Sequence, residues 1–432
     1  MRLASPTGLC VLAFLAGLCR PAHAQSEAAG PAVACTLTAD APGARPVPEH
    51  AHRGARPAAC PAAERTARFE VEYVGFPADA RAAFQAAIDV WACRVVSPRP
   101  IRVLARWEDL AATTLGSAGP YLLRNFDGAP RRDTWYPSAL ADAIVGRDLA
   151  PNDPDLTGSF NRAFGAWHLD PTTPPPPDRF DLATVVLHEI GHGLGFIGAL
   201  AVENGLGYVG APGRTRGPYA FDVWTETGAG TPLLDARTFP DGSAALSAAL
   251  RSDDVYFDGP AVRQATAEAV PLYAPAIWDD GASYSHLDEA AFTPGTPDGL
   301  LTPFLSRGEA VDEPGTAVCA VLADVGWALS GDCAARVGDR PEVLSGIRAV
   351  RTGPNPVARE TSVRVTLPEA GRLHAFLVDV LGRRVALLED RSAAAGDAVD
   401  VIVDTRDLAA GVYRIVIHVG ADRAVVPIIV AR

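Results

Sequence analysis

The stretch HEIGHGLGF, His188–Phe196, constrains the folding of this chain more than any other. His188 and His192 are four residues apart, so on a helix both imidazoles leave one face about one turn apart. Leu182, Val185, Val186 and Ile190 supply that helix with an apolar face, Asp181 is placed to cap it, and the proline run Pro174–Pro177 stops just before it. Two imidazoles at this spacing suit two corners of a zinc tetrahedron, and Glu189, beside the first, has the position of a general base for a metal-bound water. Gly191 and Gly193 lower helix stability relative to Ala, a cost that a helix free of close packing or a ligand rarely carries. A tetrahedral centre still needs a third protein ligand. In the spacing HExxHxxGxxH it falls at position 198, which is Gly198. Either the site is broken, or the third ligand comes from elsewhere in the chain.

The chain has nine histidines. His23, His50 and His52 lie near the N-terminus and His374 and His418 in a strand-rich tail, which leaves His168 in AFGAWHLDP and His286 in GASYSHLDE. His168 also reads as an ordinary half-buried loop histidine. Glu203 is a carboxylate alternative, though beside Asn204 and Gly205 it reads more readily as a solvated loop acid.

Residues 1–24 have the organisation of a secretory signal peptide: Arg2, the short apolar run Leu9–Leu18, and Ala22-His23-Ala24 before Gln25. The run is too short to span a bilayer, and no later segment reads as a transmembrane helix. Loss of Arg2 and Arg20 with that peptide takes the formal charge from −13 to −15, which excludes nucleic acid as a natural partner. Five of the seven cysteines remain: Cys35, Cys60, Cys93, Cys319 and Cys333. Cys319 and Cys333 are close enough in sequence to bridge in an oxidising compartment. Cys35 and Cys60 either pair with each other or leave one thiolate to occupy the open metal position and keep the site latent.

Composition divides the mature chain. Residues 25–65 are rich in Ala, Pro and Gly and read as a poorly ordered leader or pro-segment. From Phe69 a strand, a helix over 78–95 and a second strand, Ile101–Trp107, open an α/β unit that runs to residue 330. Asn152–Asn161 and Ser252–Gly259 contain spaced acids in which Ca2+ is conceivable, but neither matches an EF-hand loop and both read as solvated turns. Residues 331–346 read as a linker, and 347–432 as short strands forming a β-sandwich.

The combination of HEIGHGLGF with SHLDE (Ser285–Glu289), LLTP (Leu300–Pro303) and DVGW (Asp324–Trp327) resembles secreted bacterial zinc peptidases related to the leishmanolysin branch of the metzincins. The resemblance covers residues 66–330 and implies an α+β zincin catalytic domain. It implies His188, His192 and His286 as zinc ligands and Glu189 as the base. Gly195 becomes the turn that ends the helix, and Leu300–Pro303 the turn beneath the metal. Leu301 stands where that branch has a methionine, and the chain's only methionine is Met1. GPNPV (Gly353–Val357), DVLGRRV (Asp379–Val385) and LAAGVYRIVI (Leu408–Ile417) resemble the C-terminal sorting domain of type IX secretion substrates, with an all-β Ig-like fold. That likeness implies passage through the periplasm to the cell surface or medium, with residues 347–432 engaging the secretion machinery. The expectation is a secreted zinc metalloendopeptidase acting on protein or peptide. The competing one is a zinc-binding surface protein of weakened catalysis that serves as a binding module, and Glu189 distinguishes them because a structural site has no use for a base there.

Overall fold

The computed structural model describes residues 27–31, 35–39, 60–210, 215–338, 348–367, 370–379, 383–394, 397–419 and 422–431. The segment read as a signal peptide lies outside them. In chain order the elements that build the site are β1 (Glu27–Pro31), β2 (Cys35–Ala39), β3 (Phe69–Val74), α1 (Ala78–Ala92), β4 (Ile101–Glu108), β5 (Thr114–Arg124), β6 (Tyr136–Pro137), α2 (Ser138–Val145), β7 (Leu156–Asn161), α3 (Leu182–Gly193) and β8 (Phe304–Leu305).

These strands form one mixed sheet in the order β8-β2-β5-β7-β4-β3, with β1 and β6 also paired to β5. β3, β4 and β7 run parallel, whereas β5 is antiparallel to β7 and to both β1 and β2. Along β4 the side chains alternate between buried and half-buried, as expected of a strand with helices against one face. α1 turns Ala80, Ala83, Phe84, Ala87, Ile88 and Trp91 into the core at helical spacing. Trp91 also donates its indole N–H to the Leu187 carbonyl at 2.9 Å, locking α1 to α3.

The leader expected to be poorly ordered is not so throughout: Cys35–Ala39 is a strand of the main sheet, with Cys35, Leu37 and Ala39 buried. Its alternation is only five residues long, too short to stand out within an Ala/Pro-rich stretch. The body also extends past the boundary drawn at residue 330. A helix, Gly331–Gly338, buries Cys333 and Val337 and is joined to the helix Thr316–Val325 by the disulfide Cys319–Cys333.

From Arg348 the chain forms two antiparallel sheets, one of Arg348–Arg351, Glu360–Thr366 and Ala398–Asp404, the other of Arg384–Ala393, Gly371–Asp379, Gly411–Val419 and Asp422–Val430. They share a separate aliphatic core that includes Val363, Val401, Leu377 and Ile417. Among the described residues no helix is long and apolar enough to cross a membrane.

Candidate metal centre

α3 starts where the Asp181 carboxylate accepts the Thr184 amide at 2.8 Å, an N-cap that satisfies one of the helix's free donors. Every residue of the helix is buried. It ends at Gly195, whose φ of +117° and whose approach to Pro137 Cγ, 2.9 Å from where a Cβ would lie, both require glycine. The Trp327 indole then holds the Leu194 carbonyl at 2.6 Å.

Position 198 has no room for a ligand. A Cβ there would lie 2.1 Å from Tyr284 Cε1 and 2.7 Å from Asp222 Oδ1. The turn instead donates the Gly198 amide to Ser285 Oγ at 3.1 Å, so His286 is delivered to the helix from the neighbouring segment.

His188, His192 and His286 converge and can hold a metal ion. Their Nε2 atoms form a triangle with edges of 2.9, 3.1 and 3.2 Å. Each Nδ1 lies against a backbone carbonyl: Leu300 at 2.6 Å for His188, Phe196 at 2.7 Å for His192 and Ala282 at 2.7 Å for His286. A carbonyl only accepts, so each Nδ1 carries the proton and each Nε2 is left with a bare lone pair. The three Nε2 contacts are therefore not hydrogen bonds. They are three lone pairs aimed at one point, with the carbonyls fixing the tautomer as outer partners of metal ligands do. A tetrahedral metal about 2.0–2.1 Å from each nitrogen spaces them by about 3.4 Å, close to the observed triangle. Burial, and for His188 and His286 also the neighbouring imidazoles, holds these groups well below the usual histidine value; burial alone brings His192 to about 4. They are neutral at physiological pH, the form that binds metal.

Glu189 is fully buried beside the triad, and neither carboxylate oxygen has a hydrogen-bond partner. Burial pushes its carboxyl well above the usual range, while the Leu37 and Ala118 amides pull the other way. Gly116 makes the space: a Cβ there would meet Glu189 Cγ and Oε1 at 3.0 Å. Leu301 is buried beneath α3, its Cδ2 3.3 Å from where a Cβ on Gly191 would be, and its carbonyl accepts the Leu287 amide at 2.8 Å.

The other candidates lie elsewhere. His168 Nε2 faces the Thr173 carbonyl at 2.9 Å, and Glu203 is exposed at the tip of the hairpin Leu200–Val209; neither belongs to the cluster. Asp155 is buried and accepts from Ser138 and the Arg102 amide, and Asp258 pairs with Arg263, so the acids read as solvated turns make local protein contacts. The cysteine pairing differs from expectation: Cys60 bridges to Cys93, and Cys35 is a buried free thiol outside the ligand cluster. Burial raises the Cys35 thiol far above its usual value, so the thiolate ligand considered for latency is not formed here.

Asp222 is the part of the site that sequence reasoning missed. It is buried and accepts the Ala199 and Tyr219 amides and the Tyr284 hydroxyl at 2.7 Å. Tyr284 lies at φ +73° two residues before His286, and its hydroxyl also meets Thr225. The one available signal was an aromatic within SYSHLDE. Nothing in FDVW marks Asp222.

Compared with protein-family models, curated proteins and solved structures, the chain finds no match.

Proposed function

We propose that the chain is a secreted zinc-dependent metalloendopeptidase of zincin architecture, with His188, His192 and His286 as ligands. The observation that carries this reading is the pairing of three converging Nε2 lone pairs with the unpartnered, buried Glu189 carboxylate. A structural zinc site has no role for that carboxylate, and an uncompensated buried one costs several kcal/mol, roughly, a cost that a catalytic role accounts for. Zinc, when bound, polarises the scissile carbonyl and acidifies water. Glu189 accepts the proton of the attacking water and returns it to the departing amine. The sequence likeness of 66–330 to the leishmanolysin branch and of the tail to type IX sorting domains supports export followed by action on protein outside the cell.

Elemental analysis of the purified protein, full-length and after trimming of its N-terminal segment, tests this. About one zinc per chain is expected, removable by chelator and restored on reloading. Glu189→Gln keeps the zinc and lowers casein hydrolysis by about 10²–10⁴-fold. His286→Ala loses zinc as severely as His192→Ala. A folded sample that takes up no zinc on reloading rules the reading out.

A further inference from the structure

His188 and His192 are held at their spacing by one helix, but His286 comes from a segment far along the chain. Ser285, which accepts the Gly198 amide, stands 87 positions after it. Backbone contacts seat part of that segment: the Tyr273 amide donates to the His286 carbonyl at 2.9 Å, and the Tyr284 amide to the Tyr273 carbonyl at 2.7 Å. Tyr284 itself lies at φ +73°, a left-handed conformation that costs a bulky aromatic residue and persists only where its surroundings determine it. Its side chain supplies that determination. The ring is fully buried, edge-on to Phe221 with centroids 5.8 Å apart, and fills the space that a Cβ at Gly198 would need. Its hydroxyl donates to Asp222 Oδ1 at 2.7 Å, and the Thr225 hydroxyl lies 2.8 Å from the same oxygen.

Asp222 reaches the other side of the gap as well. Its two oxygens accept the Ala199 amide at 3.0 and 3.1 Å, and Oδ2 accepts the Tyr219 amide at 2.6 Å. One buried carboxylate therefore holds both the residue that follows the Gly198 turn and the ring two residues before the third histidine. Each of these groups is a donor, so the place suits an acceptor alone: the NH2 of an Asn would face the Ala199 amide whichever way it was turned. Resting on the ligand assignment of the peptidase reading above, we propose that Asp222 and Tyr284 are positioning residues, a carboxylate–phenol link that ties the end of α3 to the third ligand and sets the place of His286 against His188 and His192. Neither is itself part of the ligand cluster. Their effect on the metal passes through His286.

The test measures zinc affinity of the full chain by competition with a chromophoric chelator, and the visible bands of the Co2+-substituted protein, which follow ligand geometry. Tyr284→Phe keeps the ring that packs over Gly198 and removes only the hydroxyl. It is expected to weaken zinc binding about tenfold or more, as loss of a partner that orients a metal ligand does, and to alter the Co2+ bands. Asp222→Asn is expected to act in the same direction, and the double variant to lose less than the two single losses combined, because the two residues form one link. Should Asp222→Asn fail to fold, Tyr284→Phe alone decides. In a His286→Ala background, measured with a weaker competitor, Tyr284→Phe is expected to change zinc affinity no further. Wild-type affinity and unchanged Co2+ bands in Tyr284→Phe, even with a lower melting temperature of the metal-free protein, overturn the proposal and leave the peptidase reading intact. An equal loss of affinity with and without His286 also overturns it, since the hydroxyl then acts on the fold and not on the third ligand. A wild-type chain that takes up no zinc removes the peptidase reading and the proposal with it.

Discussion

The body and the tail of this chain are both built on strands, yet their interiors differ in kind. The body buries His188, Glu189, His192, Asp222 and His286 beside a large apolar core. The tail's core is Val, Leu, Ile and Ala, and its ion pairs, such as Arg364–Asp400 and Arg372–Asp390, lie at the surface. An aliphatic interior is held by area and packing, and exposed pairs add little. A polar interior is stable only when its lone pairs and charges are met. The two regions therefore answer differently to the same perturbation.

Metal removal is the largest such difference. Three neutral imidazoles with facing lone pairs can hold a cation, and ligand held at about a thousand times its Kd contributes about 4 kcal/mol to the folded state. Calorimetry of the full chain is expected to show chelation lowering the body's transition by many degrees and leaving the tail's in place. Equal shifts in both would break the comparison.

Next in size is Gly198→Ala. The added Cβ must displace the Tyr284 ring, which Asp222 and Thr225 hold by its hydroxyl, and about 3 kcal/mol of the body's stability is expected to go. Because Tyr284 precedes His286 by two residues, zinc affinity falls with it. Gly198→His carries the same clash, so restoring the longer histidine spacing does not restore a ligand. A Gly198→His protein that binds zinc without His286 would show that this turn is adaptable.

In the tail the matched change is Ile417→Val, one methylene removed from a fully buried side chain. About 1 kcal/mol is expected from the tail's transition alone, with zinc content and hydrolysis unchanged. A loss of zinc would mean that the two regions do not fold independently.

What could be read from the chain follows the same division. α3 was legible because period and cap are local: Leu182, Val185, Val186 and Ile190 mark its face and Asp181 its start, while Gly195 was marked as its end by the motif resemblance. The tail strands were legible by alternation. His286 was not fixed by spacing, since His168 and Glu203 stood beside it until the wider motif resemblance chose, and its place at the helix depends on the turn at Gly198. β2 was missed because its partners, β5 and β8, lie far along the chain and five residues in an Ala/Pro-rich stretch carry no periodicity of their own. The Cys60–Cys93 bridge was missed for a like reason: an even pairing within the leader looked complete, whereas the fold places Cys60 at the end of α1.

The smallest predicted effect separates polarity from packing inside the body itself. Leu301 lies beneath the triad, fully buried, against the face of α3 that Gly191 leaves open. Its own backbone holds Leu287, and the preceding carbonyl, Leu300, sets the His188 tautomer. The side chain is aliphatic and offers no lone pair of its own, and what the backbone does is independent of it. Leu301→Met conserves volume and replaces a branched side chain by a flexible one, a change that usually costs less than about 1.5 kcal/mol. Zinc affinity is expected to stay within about twofold, and the body's transition to move by about 2 °C, while Gly191→Ala, which pushes the helix off this floor, moves it further. A tenfold change in zinc affinity on Leu301→Met would mean that the floor steers the ligands directly, and the contrast between a polar centre and an inert support beneath it would fail.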